Sequence, residues 1–200
     1  MPRAFTEDDD RRIRARLLEV GRERLASTGF RKTSIDALTR GAGISKGAFY
    51  AFFESKEALW MALLQEAETE LRAELDRIVD TNDGPPAATL RAFFTALFDA
   101  VTVHPLLRAL ADPTDMAWLL RALPPGALEA ARRDDDRFFA ALLARLRRKG
   151  VVRRRVPTAA FLALPAAALA LAQGRSTIGE AQFERFVAFQ IDAWVAALAA

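Results

Sequence analysis

The sequence predicts an all-α protein, and three observations carry that expectation. Ala, Leu and Arg dominate, all good helix formers, while Ile and Tyr are scarce. No alternating strand pattern bounded by Asn-Gly or Asp-Gly appears, so no hairpin is signalled. Hydrophobic residues make up 52% of 200, ample for the core of one medium domain, or of a small domain plus a larger one.

A first helix is expected over about 9–28, with Leu17, Leu18, Gly21 and Leu25 inward and Arg11, Arg12, Arg14 and Arg22 outward. Residues 33–56, TSIDALTRGAGISKGAFYAFFESK, read as two short helices joined by a tight turn, then the start of another. Leu38 and Ala42 lie four apart on one face of the first, and Gly43 offers the positive φ that ends it and swings the chain round. Ser45 suits the N-cap of the second, in which Phe49, Phe52 and Phe53 recur at helical spacing and should face the core. Its Ser45-Lys46-Gly47-Ala48 start is small, cationic and open. An apolar back with such a front suits insertion into a DNA major groove, and the segment reads as a helix-turn-helix.

The next helix starts with Ser55 as N-cap and Glu57 in its first turn, and runs through Leu59, Leu63, Leu71 and Leu75 to about Val79. Residues 81–86, TNDGPP, form a break and the expected domain boundary. Helices should follow at about 87–102, after His104-Pro105, near 114–122, from the Pro124-Pro125-Gly126 break to about 149, and at about 157–173 and 180–198. The expected division is a helix-turn-helix domain over 1–55, a connecting helix and boundary loop over 56–83, and a ligand-binding and dimerisation domain over 84–200.

At residues 29–59 the chain resembles the tetracycline-repressor (TetR) family of bacterial transcription regulators. The resemblance is carried by Gly29-Phe30, Thr33-Ser34, Ala42-Gly43-Ile44, Ser45-Lys46-Gly47-Ala48-Phe49-Tyr50, Phe52-Phe53 and Ser55-Lys56-Glu57-Ala58-Leu59. It covers roughly the first third of the chain; the rest matches only in length and helical character. Thr39, Gly21 and Arg24 depart from the small or apolar residues usual there, and Gly41 should cost its helix about 1 kcal/mol relative to Ala. The resemblance implies a dimeric DNA-binding regulator, read here as a repressor of a palindromic operator released by a small, apolar effector. An activator of the same fold, or a small-molecule-binding protein without operator specificity, are the alternatives. Thr33, Ser34, Ser45, Lys46, Gly47, Ala48, Tyr50 and Lys56 are the residues expected at DNA, with Thr33, Ser34 and Lys56 on phosphate.

Charge agrees with that placement. Residues 1–56 hold 12 Lys+Arg against 8 Asp+Glu, a net of +4, whereas the whole chain is +3. A second basic run, RLRRKGVVRRR at 145–155, reads as the solvated end of a long helix capped by Gly150.

Enzyme signatures are missing. The single histidine, His104, precedes a proline at a helix break. Asp134, Asp135 and Asp136 point round a helix in different directions, and no phosphate loop or nucleophile elbow occurs. With no cysteine, neither a disulfide framework nor a Cys-based zinc site is possible, and neither metal nor cofactor is expected. The N-terminus, MPRAFTEDDD, lacks the apolar run of a signal peptide, so a cytoplasmic location is expected. The nearly uncharged stretch 156–174 is short, half alanine and interrupted by Pro165, which favours a buried helix over a membrane span.

In the C-terminal part, aromatic surface is the one functional hint. Phe94, Thr95, Phe98, His104, Trp118, Phe138, Phe139 and Phe161 are the residues expected around an apolar ligand. Leu169, Phe183, Phe186, Ile191 and Trp194 are expected at a dimer seam built from the last two helices, although the same stripe could simply close the protein's own core.

Overall fold

A computed structural model describes residues 7–81 and 83–200; the polar stretch before Glu7, and Asn82 in the expected break, lie outside the described residues. The elements in order are α1 (Glu7–Thr28), α2 (Ile35–Ala42), α3 (Lys46–Phe52), α4 (Lys56–Thr81), α5 (Pro86–Thr102), a 3₁₀ turn (Leu107–Ala111), α6 (Pro113–Ala122), α7 (Ala127–Arg148), α8 (Thr158–Leu162), α9 (Leu164–Gln173), α10 (Arg175–Ile178) and α11 (Glu180–Leu198). Extended pairing among the described residues is limited to one antiparallel bridge, Val152 with Ala199. The chain divides into two compact units, Met1–Glu68 and Thr69–Ala200, and α4 passes through the division.

In the first unit, α1 contributes Leu17, Leu18, Val20 and Gly21 to the interior, the spacing of one helical face. They meet Leu38 of α2, Phe49 of α3, Phe53, and Leu59, Trp60, Leu63 and Leu64 of α4, all buried. Phe30, in the turn after α1, stacks on Trp60 with ring centroids 4.1 Å apart. Two glycines here are steric requirements. A Cβ on Gly41 would lie 2.6 Å from Val20 Cγ1, and one on Gly21 would lie 2.9 Å from Leu63 Cδ1. Gly41 therefore lets α2 close on α1, which offsets the helix propensity it lacks.

The second unit is organised around α5, which buries Thr89, Leu90, Phe93, Phe94, Leu97, Phe98 and Ala100. Around it lie Leu75, Ile78 and Val79 of α4, the C-terminal half of α7, Phe161 of α8, and Ile191, Val195 and Leu198 of α11. Only the second half of α7 carries the apolar stripe (Phe139, Leu142, Leu143, Leu146); Glu129–Arg137 is exposed.

Two expectations are corrected here. The single helix expected at about 157–173 is two, α8 and α9, because Pro165 has no amide hydrogen to continue the ladder and instead occupies the first turn of α9. The linker expected at 174–179 contains a helical turn, α10, from Arg175 to Ile178. No helix of the described residues is long and apolar enough to cross a membrane.

Three of the seven cations in the basic run 145–155 are engaged within its own unit. Arg145 bonds both Asp76 and Asp80 at 2.5 Å, and their charges hold its pKa above the ordinary arginine value, the hydrogen bond to Asp80 contributing most. Lys149 Nζ donates to the carbonyls of Val79 (2.7 Å) and Asp80 (2.9 Å), closing the last turn of α4. Arg147 donates to the Val156 carbonyl and the Thr158 hydroxyl. Gly150, at φ 71°, ends α7, with the Val151 amide returning to the Leu146 carbonyl at 2.8 Å.

Candidate nucleic-acid interface

Local chemistry sets the two-helix motif. Ser34 stands in extended backbone before α2 and its hydroxyl accepts from the Ala37 amide at 3.1 Å. Ser45 does the same for α3, accepting from Ala48 at 3.1 Å, and Ser55 for α4, accepting from Ala58 at 3.0 Å. Each cap satisfies an amide the helix itself cannot. Between α2 and α3, Gly43 adopts φ 70° and ψ 30°, and the Ile44 amide returns to the Thr39 carbonyl at 3.0 Å. The turn is tight because glycine tolerates the left-handed conformation without a Cβ clash.

Phe49 and Phe53 are buried, at 0% and 5% exposure, so the back of α3 faces the core as its pattern predicts. Phe52 is only half-buried. On the other side, Ser45, Lys46, Gly47 and Tyr50 are exposed and Ala48 is half-buried; Tyr50 is 50% exposed, its ring edge-on to Phe49. A Cβ built on Gly47 would have only Ser45 Oγ within 4 Å, at 3.9 Å, so nothing in the fold requires glycine there. Lys46 Nζ lies 3.2 Å from Asp36 Oδ1 in the first turn of α2.

Two residues expected on phosphate point inward instead. Thr33 is 4% exposed, and its hydroxyl donates to the Gly29 carbonyl at 2.8 Å, beside the Thr28 hydroxyl at 3.1 Å. Lys56 Nζ donates to the carbonyls of Phe30 (3.1 Å) and Thr33 (3.0 Å) and sits 4.5 Å from the Phe30 ring centroid. Burial pulls its pKa below the ordinary lysine value, with Glu57 opposing. Both side chains close the loop between α1 and α2 onto the start of α4. They fix the frame that holds Ser34 and α2, and sequence spacing gives no sign of such bonds across 23 and 26 residues.

The other expected sites are scattered. Phe94, Phe98, Phe139 and Phe161 lie in the buried core of the second unit. Phe94 and Phe98 pack on Trp194, centroids 5.1 and 5.3 Å apart. Phe138 is half-buried beneath the Arg72 guanidinium, which also holds Asp135. Thr95 is on the exposed side of α5, away from the inward ring of Phe94 and Phe98, and Trp118 is half-buried on α6. His104 is half-buried and its Nδ1 accepts from the amides of Leu106 and Leu107, so it shapes the turn after α5. Of the residues expected at a dimer seam, Phe183 (2% exposed) and Ile191 (7%) are buried within the unit itself. Leu169, Phe186 and Trp194 are half-buried. The most exposed aromatic of α11 is Phe189, at 67%, which the sequence pattern did not distinguish from its neighbours.

Capped short helices, a glycine turn and an outward first turn on α3 define a helix-turn-helix unit. The family model for bacterial regulatory proteins of the tetR family matches residues 17–63, spanning α1 to α4. The transcriptional repressor DhaR of Mycobacterium sp. strain GP1 is 29% identical over 89 residues, 44% of this chain and 45% of that protein. The repressor KstR2 of Mycobacterium tuberculosis is 35% identical over 91 residues, 46% of this chain and 45% of that one. Both alignments thus span a little under half of the relative's length. A crystal structure of a TetR-family transcriptional regulator from Pectobacterium atrosepticum superposes with a TM-score of 0.71 at 25% identity, covering 93% of this chain and 94% of that one. The likeness to the tetR family thus lies in residues 17–63, the helix-turn-helix part of the chain.

Proposed function

We propose that this protein is a DNA-binding transcriptional regulator that acts as a repressor and binds a palindromic operator as a dimer. The observation that carries the reading is the outward face of the motif: Ser45, Lys46, Gly47 and Tyr50 stand exposed on a helix whose back is buried. A lone small module reads too few base pairs to stand out from competing genomic sites, which favours two copies held one DNA turn apart. The seam we assign lies on α9 and α11, where Ala166, Ala170, Ala188, Phe189, Ala193 and Ala196 are exposed and small enough, Phe189 apart, for close helix approach.

An apolar effector bound in the C-terminal unit would release the protein from DNA by binding the DNA-incompetent state more tightly. Since Phe94 and Phe98 pack directly on Trp194, such a ligand must part these rings or enter beside the half-buried Phe138 and Trp118.

The test is fluorescence anisotropy with duplexes tiled across the DNA flanking its own gene. One duplex should bind far more tightly than the rest. Lys46→Ala should weaken that binding by about tenfold or more, as loss of a base-edge contact does. Equal binding to all duplexes, unchanged by Lys46→Ala, would refute the reading.

A further inference from the structure

Five of the ion pairs among the described residues link residues three apart along one helix, as Arg11–Asp8 and Arg12–Asp9 do, and others, such as Arg22–Glu66 and Arg91–Asp192, bridge two helices. Asp36–Lys46 joins the first turn of α2 to the first turn of α3, so each helix of the motif supplies one charge. The two side chains are 64% and 57% exposed, and a pair so open to water adds little to stability. A carboxylate is also an unfavourable neighbour for a phosphate backbone. Its presence beside the leading lysine of the recognition helix calls for a partner that is a hydrogen-bond donor.

We propose that Asp36 and Lys46 read one G·C base pair jointly in the major groove, an inference that rests on the DNA-binding reading above. Guanine presents two acceptors, O6 and N7, and its cytosine presents the N4 amino donor. O6 and N4 are held one hydrogen bond apart by the base pair itself, at about 2.9 Å. The protein holds an ammonium and a carboxylate at nearly that separation, 3.2 Å, in the reciprocal pattern. Lys46 donates to guanine O6 or N7, Asp36 accepts from cytosine N4, and the two keep their mutual bond. An A·T pair is a poorer match in either orientation. Its amino donor, adenine N6, lies between two acceptors, adenine N7 and thymine O4; Lys46 can donate to one of them, and the carboxylate on N6 then still faces the other unpaired. Asp36 is thus a specificity residue on the helix that precedes the recognition helix.

The test uses the full chain and a randomised duplex library, sequencing the bound fraction for the unmodified protein, Asp36→Ala and Lys46→Ala. The unmodified protein should enrich half-sites with an invariant G·C pair. Asp36→Ala should relax the preference at that pair by roughly tenfold while the other positions hold, and Lys46→Ala should relax the same pair. Both residues are exposed, so circular dichroism melts should coincide with that of the parent. A profile unchanged by Asp36→Ala overturns the proposal. So does a uniform gain in affinity for every duplex, which would make Asp36 only a repulsive charge. If the unmodified protein enriches no sequence at all, the DNA-binding reading fails with it.

Discussion

In the N-terminal unit α2, α3 and α4 each begin at a serine whose hydroxyl accepts an amide hydrogen, whereas α5, α7, α8, α9, α10 and α11 begin with no side-chain cap. Only α6, through Asp112, is capped among the helices that lie wholly in the second unit. Helices of eight and seven residues, as α2 and α3 are, barely repay the cost of nucleation, and a serine at each start satisfies an amide locally. In the second unit helices as long as α7 and as short as α8 and α10 begin without such a cap, and its interior is held by buried area. A small motif that must present a fixed face relies on polar bonds over three or four residues, and a larger bundle relies on apolar packing over long sequence distances.

This contrast can be broken most severely from the core side. Phe94→Ala removes a fully buried ring that meets Phe93 and Trp194, and should cost about 3–5 kcal/mol in urea unfolding. A result under about 1 kcal/mol would mean the second unit is not held by packing.

Gly41→Ala tests the one place where the N-terminal unit depends on a close fit between α1 and α2. Propensity alone predicts a gain of about 1 kcal/mol. The 2.6 Å approach to Val20 Cγ1 predicts overpacking worth about 1–3 kcal/mol, so thermal melts should show net destabilisation. Adding Val20→Ala should restore part of the loss to Gly41→Ala; a melting temperature raised by Gly41→Ala alone would show that α1 and α2 separate freely.

Ser45→Ala should cost about 1 kcal/mol through the lost cap of α3, measured by the same unfolding curves. The smallest stability effect, and the sharpest separation of fold from function, is expected for Gly47→Ala. Its Cβ would enter open space, so stability should rise by no more than about 1 kcal/mol. Binding to the operator should nevertheless weaken, because the methyl intrudes where the groove approaches. If Gly47→Ala leaves affinity intact, DNA does not come close to this turn.

What was legible in the sequence divides along the same line. Ser34, Ser45, Ser55 and Gly43 act within a few residues of themselves, so their chemistry could be read directly, and with it the helix-turn-helix. Thr33 and Lys56 could not be assigned that way: their partners are set by how the Phe30 loop folds onto α4. In α11 the pattern FERFVAFQIDAW places apolar residues on most sides, and only the finished packing separates buried Phe183 and Ile191 from exposed Phe189. Thr95 shows the same thing: one residue on from buried Phe94, about 100° round α5, it is exposed. Asp36 does not stand out in the sequence, since an acid in a first helical turn also suits the helix dipole, and only the folded motif shows it beside Lys46.

The clamp at the end of α4 has a mechanical consequence. A helix usually absorbs a push at its terminus by fraying, since the last carbonyls have no partners to lose. Here Lys149 holds the carbonyls of Val79 and Asp80, and Arg145 grips the carboxylates of Asp76 and Asp80. Four anchor points within five residues leave that end no slack. The last turns of α4 and the last turns of α7 therefore behave as one stiff joint, and a load on either is passed on as torque instead of being spent in unwinding.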